Sequence, residues 1–329
     1  MNFEVIAFAF LVLSFASCGP SQFHNRDSIS NVDPVVQAHV IDGQVMFPGH
    51  TKASRAVVAV ELLDQKRDVI TYCTGVLIGP RTVLTSAHCF YDKLIPGVDG
   101  FNIVFETRTK LHDNAVRRTG YAHTVHSQYN TESKRWVYQD GKYIDTELRP
   151  NYISQPTDHV FTVLQGNHDL AVLVFKGSLP SGYEPAKIDE DTDANYEGKT
   201  VYFFGFGRAV DYLDPKGKYD TSSGQLRKGT AVVDTDFSQH IDRYFNRKDS
   251  KNSLCQGDSG GPQFLNENGV LKIIGINSAV ASEEDSIKVD PSIIKGDYVS
   301  CRGRSQVAKV APFAKWIKTT EKLILDQMK

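Results

Sequence analysis

The sequence predicts an all-β fold with a single helix at its end. Two observations carry this. Apolar and β-branched residues come in short runs bounded by Gly, Pro, Asp or Lys, which is how the strands and turns of a barrel or sandwich read. Helical spacing is found at the C-terminus, where Phe313, Trp316, Ile317, Ile324 and nearby Leu323 recur between Pro312 and Met328. That stripe reads as core packing.

Taken in order, the chain opens on an apolar run, Val5 to Phe15, followed by the small residues Ala16-Ser17-Cys18-Gly19. This reads as a signal peptide over residues 1–18, although Glu4 stands where a basic residue is usual. It also resembles a bacterial lipoprotein signal in which Cys18 becomes the acylated residue, with Phe15 in place of the usual Leu. Ordinary cleavage after Ala16 is the alternative. Residues 19–39 are polar and without periodicity, as in a linker or pro-segment. The main domain then spans residues 40–329.

Strands follow from Ala56. The runs are Ala56–Leu63, Tyr72–Ile78, Thr82–Thr85 and Phe101–Phe105, with turns at Asp64-Gln65-Lys66 and Gly79-Pro80. Further on, Val201–Gly207, Gln225–Val233 and Leu271–Ser278 repeat the pattern. The stretch from about 130 to 165, rich in Tyr, Asp, Lys and Pro, reads as a long loop, and loops of that length are usually functional or disordered. A second, charged insertion runs from about Ala281 to Ser300. His123 and His126 are three apart, so on a strand they face opposite ways and do not form a metal site.

The whole chain is 329 residues, 40% hydrophobic, with a net charge of −2. Its length allows one or two domains. The absence of a basic block argues against a nucleic-acid partner. No apolar run reaches the roughly 20 residues that a membrane helix needs. Membrane association would come only through Cys18.

Chemistry concentrates in Cys255-Gln256-Gly257-Asp258-Ser259-Gly260-Gly261-Pro262. The glycines give a tight bend and let a carbonyl approach the backbone. The N–H groups of Gly257 and Ser259 can point at one oxygen, as a tetrahedral intermediate requires. A serine hydroxyl needs a base, and the base an orienting carboxylate. His88 lies in Val83-Leu84-Thr85-Ser86-Ala87-His88-Cys89, and Asp169 opens the apolar run Leu170–Phe175. Read separately, each has a structural alternative: a core histidine, a strand cap and a turn serine.

The three motifs in the order His88, Asp169, Ser259 resemble the chymotrypsin/trypsin-like serine endopeptidases. The resemblance covers about residues 40–320. It implies two six-stranded antiparallel Greek-key barrels with the triad in the cleft between them, and a C-terminal helix. It implies disulfides Cys73–Cys89 and Cys255–Cys301, which leaves Cys18 odd among five cysteines. Val40-Ile41-Asp42-Gly43 resembles the family's N-terminus after activation, whose freed amino group pairs with the aspartate before the nucleophile, here Asp258. His39 before that cut departs from the trypsin-like Lys or Arg. Phe206 and Ala279 each stand where the family usually has Trp. The family's aspartate comes within about ten residues of the turn at Tyr129-Asn130, so roughly 30 residues are inserted here, beside the substrate cleft.

By the same resemblance, Ser278 hydrogen-bonds the triad aspartate, and Ser253 lies at the base of the primary pocket with Val280 and Ser305 on its walls. Without an acidic base, and with side chains where chymotrypsin has glycines, the pocket resembles elastase and implies small or medium apolar residues before the scissile bond. No cofactor or metal is implied. The implied partners are protein or peptide substrates and a macromolecular inhibitor, met by a monomer exported to the envelope or beyond. Two other classes remain at this stage: a proteolytically silent binding module on the same fold, and an anchored surface protein that uses its insertions for recognition.

Overall fold

The computed structural model describes residues 43–47, 49–92, 94–106, 111, 113–139, 142–145, 159–208, 223–234, 242–247, 252–283, 301 and 303–329. The readings for residues 1–39, including Cys18, and for Val40 lie outside them. The described residues belong to one unit, Val35–Lys329.

The first half contains β1 (Gln44–Val45), β2 (Val57–Leu63), β3 (Val69–Gly79), β4 (Thr82–Thr85), β5 (Gly100–Phe105) and β6 (Val116–Val125). Then come β7 (Asn130–Gln139), β8 (Lys142–Asp145), β9 (His159–Asn167) and β10 (Ala171–Phe175). Six of these close into an antiparallel barrel in the order β10-β4-β3-β2-β5-β6. The β-branched run is why β2 sits at its heart: every residue of it is buried. Glu61, the one charge on β2, is held at 2.7 Å by Arg117 on β6. Val60, Leu62, Leu77, Leu84, Phe105 and Leu173 belong to one apolar cluster that continues into the seam with the second half.

The second half contains β11 (Lys187–Ile188), β12 (Thr200–Gly205), β13 (Arg227–Val232), β14 (Arg243–Phe245), β15 (Pro262–Glu267), β16 (Val270–Glu283) and β17 (Gly303–Lys309). Pairing runs β13-β12-β15-β16-β17-β14. The ring is completed where Val233 bridges Asn246. There Asp234 N–H donates to Phe245 O at 2.7 Å and Arg247 N–H to Val232 O at 2.7 Å. This second barrel has its own core, including Val201, Phe203, Tyr244, Leu265, Ile274 and Val307. β1 adds to β13, and β11 adds in parallel to β16.

Two expectations need correction. In its described residues the insertion after Asn130 is strand, not loop. β7 and β9 pair antiparallel from Asn130↔Asn167 to Tyr138↔His159, and β8 pairs on β7. The reason is in the residues: Trp136-Val137-Tyr138 and Val160-Phe161-Thr162-Val163 have strong strand preference, which outweighed the polar composition around them. The C-terminal helix α1 (Ala314–Gln327) follows a 3₁₀ turn at Ala311–Phe313 and buries Ala314, Ile317, Thr320 and Ile324. Leu323, placed in the apolar stripe from sequence, is 59% exposed. It lies about 100° around the helix from Ile324, outside the buried face.

Candidate active site

β4 carries its apolar residues into a 3₁₀ turn, Ala87–Phe90, that presents His88. Two links fix the turn. The Cys73–Cys89 disulfide ties it to β3. The buried Ser86 hydroxyl donates to Asn277 O on β16 at 2.7 Å. Asp169 arrives from β9 through His168, whose φ of 58° turns the chain sharply before β10.

Asp169 is 1% exposed and its carboxylate is fully engaged. Oδ1 accepts the His88 N–H at 2.9 Å, Oδ2 faces His88 Nδ1 at 2.8 Å, and Ser278 donates its hydroxyl to Oδ2 at 2.5 Å. A carboxylate against Nδ1 holds the proton there and leaves Nε2 as the acceptor. Burial pushes the imidazole pKa down, but the charge and hydrogen bond of Asp169 outweigh it, and the net shift is up. Burial likewise pushes Asp169 up, and His88 and Ser278 bring it below the ordinary carboxylate value. Each group stabilises the charged form of the other.

The serine loop is sewn to the first barrel by backbone and threonine contacts. Thr74 N–H on β3 donates to Ser259 O at 2.8 Å. Thr74 Oγ1 donates to Gly257 O at 2.8 Å and accepts Phe206 N–H at 3.0 Å. Thr85 Oγ1 donates to Thr74 O at 2.8 Å. From the second barrel, Asn277 exchanges backbone hydrogen bonds with Gly260 and Gly261, both at 2.8 Å. Its side chain donates to Phe204 O and Asp258 O. Gly260, at φ +83°, packs so tightly on Thr85 and Thr74 that a β-carbon has no room. Gly257, at φ +97°, likewise adopts a conformation that side chains disfavour.

These ties hold the Ser259 loop between Thr74 and Thr85 of the first barrel and Asn277 on β16. Asp258 N–H turns inward to Cys255 O, at 3.0 Å. The N–H groups of Gly257 and Ser259 donate to no protein acceptor among the described residues. The Ser259 hydroxyl makes no hydrogen bond to His88 here; such contacts commonly tighten only with substrate bound.

Asp258 is 1% exposed. Its oxygens accept the N–H groups of Gly207 at 2.8 Å and Cys255 at 2.9 Å. Burial pushes its pKa up to about 7, despite those two amides and the charge of Arg227.

Two of the residues assigned to the pocket are neighbours. Val280 and Ser305 are direct cross-strand partners on β16 and β17. Ser305 is buried, and its hydroxyl accepts the N–H of Leu254, next to Ser253, at 3.3 Å. The second disulfide, Cys255–Cys301, closes this region. His123 and His126 do not converge: His123 stacks on Phe90, His126 on His168. Cys73 and Cys89 lie near His88, but their sulfurs are joined to each other and are not available as metal ligands.

Sequence reasoning missed Thr74, Thr85 and Asn277 as supports of the serine loop, and Tyr129. The Tyr129 ring packs edge-on to Tyr91 at 5.2 Å, and burial, then the charge of Asp169, push its hydroxyl pKa up. Only the position of Thr85 in the histidine motif could have marked one of them.

Comparison with known proteins gives a consistent result. The family profile described as Trypsin matches residues 47–295. The chain is 24% identical over 254 residues to Serine protease SP24D of Anopheles gambiae, which covers 75% of this chain and 71% of that protein. Among solved structures, an HL collagenase superposes with a TM-score of 0.54 at 15% identity, over 85% of this chain and 98% of that one, a likeness of fold.

Proposed function

The chain belongs to the trypsin family of serine proteases, and from that premise we propose that it is an endopeptidase acting through His88, Asp169 and Ser259. The observation that carries the reading is the fully engaged Asp169 beside His88, at the seam where the serine loop is tied down. Ser259 Oγ attacks the peptide carbonyl while His88 Nε2 takes its proton. His88 then gives that proton to the leaving amine, and water repeats the cycle on the acyl-enzyme. Asp169 holds the imidazole tautomer and stabilises the imidazolium. The Gly257 and Ser259 amides receive the oxyanion, and losing one such donor typically costs about 3–4 kcal/mol.

Activation by cleavage between His39 and Val40 fits the surroundings of Asp258. Among the described residues its carboxyl has backbone amides as partners and no ion pair. β1 enters beside it: Val45 pairs with Arg227, and Arg227 pairs with Gly205, against which the Asp258 carboxyl packs. Five extended residues from Val45 back to Val40 span about 16 Å, while two strand spacings are about 10 Å. A freed amino group at Val40 therefore has chain length enough to meet Asp258 if the chain turns inward ahead of β1. A buried ion pair of this kind is costly to break and serves as a switch.

Ser253, Val280 and Ser305 support a narrow, uncharged pocket for small or medium apolar residues. The two disulfides fit an oxidising compartment, and so an exported enzyme, with Cys18 as the point of lipid attachment. The test is hydrolysis of peptides varied at the residue before the scissile bond, with Ser259→Ala as control. Cleavage after Ala or Val ahead of Lys and Phe, abolished in the variant, supports the reading. Cleavage after Lys or Arg overturns the specificity, and turnover that survives Ser259→Ala overturns the mechanism.

A further inference from the structure

The strand that carries Ser278 and Val280 is unevenly paired. On one side, β16 pairs with β17 from Gly275 to Ser282. On the other, it pairs with β15 up to Ile276, and Asn277 is held by Gly260 and Gly261 of the serine loop. Ser278, Ala279, Val280 and Ala281 then have no strand on that side among the described residues. At Ser282 and Glu283 pairing resumes, with Thr162 and Phe161 of β9. Because Ser282 is also paired with Gly303 of β17, β9 must lie on the β15 side. This edge of β16 thus has a four-residue gap, with the nucleophile loop at one end and β9 at the other.

Such a gap accepts an extended peptide as an added strand. Both flanking strands run antiparallel to β16. A peptide in the same sense points its C-terminal end at Ser259, so the residues before the scissile bond line the gap. Four residues span about 13 Å. Beyond them the edge is already taken. β9 is not a lone strand: its other edge is paired with β7 from Asn130↔Asn167 to Tyr138↔His159.

Resting on the peptidase reading above, we infer that β9 is a built-in stop: the β7–β9 arm limits the strand-paired part of the substrate to three or four residues before the scissile bond. Longer substrates must leave the β16 edge at Ala281 and draw nothing more from it. The arm leads directly into Asp169 along the chain.

The test is a series of chromogenic peptides with one to six residues before the leaving group, the residue at the scissile bond held constant. Backbone groups of alternate residues face β16, so kcat/KM should rise in steps of about two- to tenfold on every second residue in the gap, the worth of one or two backbone hydrogen bonds. The gain should end at the fourth residue. A continued rise through the fifth and sixth residues overturns the stop. Thr162→Pro, which disrupts β9 both at its seam with Ser282 and at its pairing with Arg135 of β7, should carry the gain to longer peptides. If Thr162→Pro is labelled at Ser259 by a fluorophosphonate like the parent yet keeps the same plateau, β9 is not the stop. Failure of the His39–Val40-cleaved parent both to cleave any peptide and to be labelled overturns the peptidase reading itself, and the stop with it.

Discussion

Asp258 offers a quantitative test in the uncut chain. Its carboxyl is 1% exposed, and burial lifts its pKa from 3.8 to about 7. The folded protein therefore keeps a proton that the unfolded chain has lost over this range. Stability falls as pH rises from about 4 to about 7, by about 1.4 kcal/mol per unit and about 4 kcal/mol in all. Asp258→Asn removes the titration. The amide can accept from only one of the two N–H groups, of Gly207 and Cys255, that the carboxyl serves. That costs about 1–3 kcal/mol, with no dependence on pH. Urea unfolding of both proteins should be measured from pH 4 to pH 8 with disulfides intact, on a Ser259→Ala background to prevent self-digestion. The stability of the parent relative to the variant should drop by about 4 kcal/mol across the series. A difference that stays flat would refute the buried, cation-poor carboxyl. After cleavage at His39–Val40 an ammonium beside Asp258 holds it ionised, and the slope should vanish.

Other consequences follow from the site. The raised pKa of His88 places the acid limb of the kcat/KM profile above pH 6.5, since the base must be neutral to act. Asp169→Asn should move that limb down and lower kcat by about 10⁴-fold. Val280→Gly with Ser305→Gly should open the pocket, shifting preference from Ala or Val toward Phe, read from competing peptides. Gly260→Ala forces a β-carbon onto Thr85 and Thr74 at φ +83°, and should abolish Ser259 labelling while the first barrel stays folded by circular dichroism. Replacing Cys73 and Cys89 by Ser should cost about 3 kcal/mol in the chain-entropy picture, measured by urea unfolding.

The sequence announced the site better than its supports. His88, Asp169 and Ser259 stand in motifs whose strand, turn and glycine pattern can be read locally, but each had a structural alternative and the family resemblance joined them. Ser278 and the disulfide pairs were legible only by resemblance. Thr74, Thr85 and Asn277 were not legible, because an inward threonine on a strand looks the same whether or not a distant loop docks on its hydroxyl. The β7–β9 arm shows the opposite failure. Its aromatic and β-branched runs were visible, but composition suggested a loop, and pairing with residues Ser282 and Glu283 depends on contacts far apart in sequence. Leu323 shows how little margin a helical stripe allows: one position of drift turns a core residue to solvent.

The most direct measurement is fluorophosphonate labelling of the uncut and the His39–Val40-cleaved chain, with the adduct and the new N-terminus located by mass spectrometry. An adduct on Ser259 that forms only after cleavage, and is lost in Ser259→Ala and His88→Ala, is the predicted result. Equal labelling of the uncut chain would contradict activation through Asp258. No adduct in either form of the folded protein would contradict the assignment of Ser259 as nucleophile.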